Sequence, residues 1–409
     1  MKKIGYQAKT AALQGNNLST ESKNQLLKRL KVNLLKNKEA IFEANKEDLK
    51  RAKEQGLNEA MIDRLKVNHI YLENMVSGIE DIIKLEDPIG KKLEERILEN
   101  GLKVAQVSVP LGVVGIIYES RPNVTVDAFA LCFKAGNASI LRGGKEAIET
   151  NIIFENIIRD TLKEENMDEN FIQLIKDTTR KSTIELMRLN EYVDVLIPRG
   201  SQGLIEAVLK ESTIPVIETG AGNCHIYVDE AADLEKALLI VKNAKLQRPG
   251  VCNAVESLVI HESIAGTFIQ KLVEELPEVK MFGDEIASTK SNHILKAASD
   301  DFYKEYLDKV LSIKIVETLE EAIDHINKHH TGHSDAIITE NKPTANIFTQ
   351  NIDAAAVYVN ASTRFTEGFV FGLGAEIGIS TQKLHARGPM GLKALTTYKY
   401  IVKGNGQVR

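Results

Sequence analysis

The sequence predicts an α/β protein of two doubly wound domains with a small β element attached. Three observations carry that expectation. The chain has 409 residues, more than one simple core accommodates. From Val109 onward, apolar β-branched runs alternate with helical stretches, as in mostly parallel sheets. No repeat, low-complexity segment or long Pro/Gly linker breaks the alternation, so the lobes should pack closely.

Roughly the first ninety residues set charged side chains against Leu, Ile and Ala at helical spacing, as in LLKRLKVNLLKNKEAIFEANKEDLKRAKE, and read as helices. RILENGLKVAQVSV then places two alternating runs about Asn100-Gly101, a strong hairpin signal. A lone hairpin is marginal in water, so it needs a surface to pack on, a second subunit being one candidate. GVVGIIY, VDAFALCFKAGN and ASILRGG follow, then a helix rich in Ile and Glu. DVLIPRG, IPVIETG, CHIYVD and SLVIH continue the pattern, and the tail LTTYKYIVKGNGQVR reads as a closing strand. The expected domains are 1–93 with 111–224, and 225–389. Residues 94–110 and 390–409 form the β element.

Charge and composition exclude several classes. A net charge of −5 offers no basic footprint for nucleic acid. The amino terminus starts with two lysines but lacks the apolar core of a secretory signal. The longest apolar run, around VPLGVVGIIY, is about half of what spans a bilayer. A cytoplasmic protein without a membrane partner is expected, and three cysteines, Cys132, Cys224 and Cys252, make no disulfide framework.

Chemistry centres on LQRPGVCNAVESLVIH, which puts Cys252 after a proline and a glycine on the lip of an apolar run. A thiolate attacks acyl carbon readily when dipoles or charges lower its pKa. A buried, inert thiol is the plainer alternative. Upstream, VLIPRGSQGLIEAV and IETGAGNCHIYVD both end an apolar run in a glycine turn, and such turns at carboxyl strand ends bind ligands in doubly wound sheets.

With these residues in view, the sequence resembles the aldehyde dehydrogenase superfamily. Glu218-Thr219-Gly220-Ala221 stands where that superfamily has Glu-Leu-Gly-Gly, and Cys252 follows Glu218 by the family's 34 residues. PLGVVGIIYESRPNVTVDAF, RPGVCNAVESLVIH and VNASTRFTEGFVFGLGAEIGISTQKLHARGPMGLKALTTYKY resemble its proline-biosynthetic branch.

The resemblance implies an aldehyde dehydrogenase-like fold with a cofactor-binding domain, a catalytic domain and an oligomerisation element. It also implies NADPH-dependent reduction of L-glutamyl 5-phosphate to L-glutamate 5-semialdehyde, with phosphate released through a Cys252 thioester. The Cys252 N–H and Asn123 are the implied oxyanion donors, Arg121 being an alternative occupant of Asn123's place. Glu218 is matched to the family without a settled role, because TGAGN replaces the LGGK of hydrolytic relatives. Arg142 and Lys145, in a turn that opens a helix, suit the extra phosphate of NADP. Gly200 and Ser201 match the cofactor-side glycine turn, and Glu305 the glutamate that holds the nicotinamide ribose. Asn360, Ser362, Arg364, His385 and Arg387 are candidates for the substrate's phosphate and carboxylate.

The cluster HINKHHTGH has His325 and His329 at a spacing two helical zinc ligands can use, but no metal is expected, since the reaction needs none. A homo-oligomer is implied, and a glutamate kinase is a candidate partner for handing over a labile acyl phosphate. Two alternatives compete: a hydrolytic or CoA-acylating enzyme using the same cysteine, and a non-enzymatic scaffold with a histidine metal site. The altered LGGK position and the long carboxyl-terminal block oppose the first, and the Glu218 to Cys252 spacing opposes the second.

Overall fold

The computed structural model describes residues 1–409, the side chain of Ala60 excepted. The chain divides into two compact units, Met1–Thr219 with Gly372–Gly378 and Met390–Arg409, and Gly220–Phe371 with Ile379–Pro389. The division falls ahead of residue 225, because Asn223 is tied into the second unit. Its backbone N–H donates to Thr331 Oγ1 (3.0 Å), and its side-chain amide to the carbonyls of Phe302 and His329.

In the first unit the expected helices are α1 (Lys2–Gly15), α2 (Thr20–Lys36), α3 (Lys38–Glu54), α4 (Glu59–Leu65) and α5 (His69–Lys84). Side-chain caps start three of them: Ser19 accepts from Ser22 N–H, Asn58 from Met61 N–H and Asn68 from Tyr71 N–H. Leu26, Leu27, Leu30 and Leu34 recur on one face of α2 and are fully buried.

The hairpin forms β1 (Lys92–Ile97) and β2 (Lys103–Pro110), with Gly101 in the left-handed turn position at φ 85°. Next come β3 (Val113–Tyr118), α6 (Asn123–Lys134), β4 (Ala138–Arg142), α7 (Ile148–Glu164), β5 (Ile172–Leu174), α8 (Arg180–Met187), β6 (Val195–Arg199) and α9 (Gln202–Glu211). The strands pair in parallel in the order β5-β4-β3-β6. The chain therefore runs outward from β3 one way and then reverses, so the switch point lies between β3 and β6. IPVIETG is not a strand as expected: it makes one parallel bridge, Val216 to Leu196. Pro215 has no N–H to extend a ladder, although its carbonyl accepts from Leu196 N–H (2.9 Å).

The second unit holds seven parallel strands: β7 (Cys224–Val228), β8 (Val255–His261), β9 (Lys280–Gly283), β10 (Ile294–Lys296), β11 (Val310–Val316), β12 (Ser334–Ile338) and β13 (Ala356–Val359). Their order is β10-β9-β11-β8-β7-β12-β13. α10 (Leu234–Leu246) links β7 to β8, and its Ala237, Val241 and Ala244 pack with Ile226, Leu258, Ile260 and Phe268. A short antiparallel pair, β14 (Ile379–Ser380) with β15 (Gly388–Pro389), completes the unit.

The carboxyl-terminal strand β16 (Thr396–Lys403) returns to the first unit and pairs antiparallel with β2, giving the sheet β1-β2-β16. Every residue of β1, and every residue of β16 after the first, is exposed, among them Leu93, Ile97, Tyr398, Tyr400 and Val402. Among the described residues no helix is long and apolar enough to cross a membrane.

Candidate active site

Cys252 lies in the loop 247–254, after α10 and before β8, and is partly exposed, whereas Cys132 and Cys224 are buried. It stands at the amino end of its strand. This differs from the carboxyl-end rule for doubly wound sheets, because the loop that carries it enters the sheet instead of leaving it.

Two neighbours grip the main chain at 252. Gly222 lies so close that a Cβ there would be 1.5 Å from the Cys252 carbonyl oxygen, so only glycine fits. The Cys224 thiol donates to the same oxygen at 3.2 Å, and burial pushes that thiol's pKa well above 9.0, keeping its proton in place. On the far side, Asn253 is laced to the 363–366 segment. Its amide donates to the Arg364 and Thr366 carbonyls, and Thr363 Oγ1 donates back to the Asn253 carbonyl at 2.7 Å. This lacing ties the Arg364 backbone to the cysteine's loop, and burial pulls the pKa of its guanidinium down. Arg364 Nε donates to Gln247 on the same loop (3.1 Å).

The other substrate candidates are differently engaged. Asn360, in a left-handed conformation at φ 54°, uses both ends of its amide on the Thr339 backbone, at 2.9 and 2.8 Å. Ser362 is buried and caps a short turn by accepting from Arg364 N–H. Arg387 is paired with Asp353 (2.8 Å), which also holds Lys383. His385 is exposed, with φ 69°.

Behind the cysteine lies the histidine group. His330 Nδ1 is 2.6 Å from Asp335, and the His225 backbone N–H donates to the same carboxylate. The His325 and His329 rings pack at 4.2 Å between centroids. Among the described residues no three His, Cys, Asp or Glu side chains are grouped to hold a metal ion. Burial pushes the imidazoles of both His225 and His325 down to about 3. These rings are neutral in the fold, while an unfolded histidine takes a proton near 6.5. Stability is therefore greatest above about 6.5 and falls as pH drops toward 3. His325→Phe, which keeps a ring beside Phe302, should flatten the fall in melting temperature between pH 7 and 4; an unchanged slope would contradict the assignment.

In the first unit the candidates gather at the carboxyl edge of the sheet. The register sets Tyr118 beside Arg199 and Ile117 beside Arg142, which aligns the ends of β6, β3 and β4 at the switch point. There Ser201 N–H donates to Glu119 at 2.7 Å, and a Cβ on Gly200 would lie 2.4 Å from the same carboxylate. Arg142 gives its guanidinium to the Gly143 and Thr178 carbonyls, leaving its Nε buried without a partner. Lys145 and Arg121 are exposed. Asn123 opens α6, and its amide is held at both ends: Tyr71 OH donates to its oxygen (2.6 Å) and its nitrogen donates to Asp127 (2.7 Å). Burial raises the Asp127 carboxyl to about 6, against the Asn123 bond and the charge of Arg199. Glu218, partly buried, is the penultimate residue before the division between the units.

The model of the aldehyde dehydrogenase family matches residues 2–310 and 295–401. The chain is 53% identical over 408 residues to the gamma-glutamyl phosphate reductase of Carboxydothermus hydrogenoformans, covering 99% of this chain and 98% of that one. The chain belongs to the gamma-glutamyl phosphate reductase branch of the aldehyde dehydrogenase family. The Clostridium beijerinckii member is also 53% identical, over 407 residues, covering 99% of this chain and 98% of that one. The crystal structure of the gamma-glutamyl phosphate reductase of Thermotoga maritima matches with a TM-score of 0.98 and 47% identity, covering 100% of this chain and 99% of that one. An acetylating aldehyde dehydrogenase of Geobacillus thermoglucosidasius, at 17% identity and a TM-score of 0.70 over 100% of this chain and 97% of that one, shares the fold.

For this reductase, sequence reasoning missed the residues that hold the loop: Gly222, Cys224, Asn253 and Thr363. It also passed over Tyr71 and Asp127, which fix the Asn123 amide. A signal existed for one of two further residues, Lys245 and Glu256: Glu256 puts a charge into the apolar run AVESLVIH, whereas Lys245 is one of several charges in its helix. They form a fully buried ion pair at 2.7 Å.

Proposed function

We propose that this chain reduces L-glutamyl 5-phosphate to L-glutamate 5-semialdehyde, releasing phosphate, with NADPH as the hydride source. The observation that supports it most is the held loop at Cys252, with Arg364 hydrogen-bonded to that loop through Gln247, in a chain of this family. In this reading the Cys252 thiolate attacks the acyl carbon and the carbon–oxygen bond to phosphate breaks. Phosphate leaves with that electron pair and a thioester remains. The Cys252 N–H stabilises the developing oxyanion. A reduced nicotinamide, when bound, supplies a hydride to the acyl carbon. Breaking the carbon–sulfur bond then frees the aldehyde and restores the thiolate.

The first unit's sheet edge fits a dinucleotide. It lies at a switch point, Gly200 keeps the backbone there bare, and Arg142 offers an orphaned buried Nε. Gly200, Ser201, Arg142 and Lys145 would hold the cofactor. Arg364 is the cation proposed for the substrate's anionic groups, with Arg121, Asn360, Ser362, His385 and Arg387 as further candidates. Glu218 is proposed as a site residue, matched to the family by its spacing to Cys252. The exposed apolar residues of β1 and β16 support a homo-oligomer, and a glutamate kinase is the proposed source of the acyl phosphate.

The test runs the reaction backward, following NADP reduction with glutamate semialdehyde while phosphate is titrated. Reduction should require phosphate. Reduction in its absence, or in response to CoA instead, would replace phosphate by water or CoA as the acceptor.

A further inference from the structure

We propose that Glu305 is a positioning residue for the nucleophile, holding the Gly222 peptide against the Cys252 carbonyl, and that the buried Lys245–Glu256 pair fixes the loop carrying it. The inference rests on the reading of Cys252 as nucleophile and adds to the ribose contact that the resemblance implies for Glu305. Glu305 Oε1 accepts from Gly222 N–H at 2.6 Å, a short, charge-assisted bond. Gly222 is the residue whose Cα abuts the Cys252 carbonyl, and its own carbonyl accepts from Cys224 N–H, whose thiol grips the same Cys252 oxygen. A shift of Glu305 therefore reaches the main chain of Cys252 through one peptide.

The carrier loop is held just as firmly. Leu307 adopts a left-handed conformation at φ 54°, unfavourable for a branched side chain, and its N–H donates to Glu256 Oε1 at 3.1 Å. Lys245 Nζ donates to Glu256 Oε2 and also to the Asp308 carbonyl, at 2.7 and 3.0 Å. Lys245 comes from α10 and Glu256 from β8, the two elements that flank the cysteine loop. Both ends of that loop are thus clamped to the loop that presents Glu305. Such a pair is poor value for stability alone, which suits a role in geometry. Burial raises the Glu305 carboxyl, an effect the Gly222 hydrogen bond opposes.

The test compares Glu305→Ala with Glu305→Gln, whose amide oxygen can still accept from Gly222 N–H. Three quantities are read: hydrogen exchange of the peptide spanning Gly222 without cofactor, kcat, and the NADPH dissociation constant. Glu305→Ala should speed exchange and lower kcat at saturating NADPH, each by at least about tenfold. Glu305→Gln should stay within about threefold of the native protein in all three. Native exchange in Glu305→Ala would overturn the proposal, as would weakened NADPH binding with kcat retained at saturation. If Glu305→Ala fails to fold, the double variant Lys245→Met/Glu256→Leu removes the clamp and leaves Glu305. Faster exchange at Gly222 supports the proposal, and native exchange overturns it. Full turnover in Cys252→Ala would instead sink the reading of the reaction, a distinct result.

Discussion

Cys252→Ala is expected to lower turnover at least about a thousandfold, in line with removal of a covalent nucleophile, while melting close to the native protein. The separation of the two effects follows from how the loop is held. Gly222, Cys224 and Asn253 secure it through the 252 carbonyl and the backbone and side chain of residue 253, all of which alanine leaves in place. A change at a partly exposed position of this kind usually costs under about 1 kcal/mol. NADPH oxidation with acyl phosphate, beside a thermal melt, checks both. Activity within tenfold of native would leave the thioester without a carrier.

The second large effect is expected from Gly222→Ala. A methyl placed 1.5 Å from the Cys252 carbonyl oxygen cannot be accommodated unless one of the two loops moves. Displacing a nucleophile by about 1 Å can cost about a hundredfold in rate, and overpacking typically costs about 1–3 kcal/mol. Gly266→Ala is the control. That glycine lies within a helix with nothing near its missing Cβ, so alanine there should be neutral or slightly stabilising. Equal kcat values for the two variants would show that the close approach at 222 has no bearing on catalysis.

Much of the fold was legible because it is local. The leucine spacing of α2 and the Asn100-Gly101 turn each declare an element within a few residues, and the structure contains both. IPVIETG misled because apolar content was read without weighing Pro215. Cys252 was legible through its neighbours and its distance from Glu218. What holds Cys252 was not, since Gly222, Glu305 and Thr363 meet it only through tertiary packing. Arg387 and Asn360 look alike in sequence as polar residues of one block. Only the structure shows Asp353 holding the first and the Thr339 backbone the second.

The path of the chain has a consequence for how the molecule is made. β2 leaves the ribosome well before one of its two strand partners, β16, is synthesised. The second unit's seven strands all fall between them in sequence. During translation the β1–β2 hairpin must therefore wait with one flank unpaired, a state open to pairing with a neighbouring nascent chain. The charges along β1, Lys92, Glu94, Glu95 and Arg96, sit on the opposite flank and guard that edge only. Completion of the sheet waits for β16, and its arrival is what ends the exposure of β2.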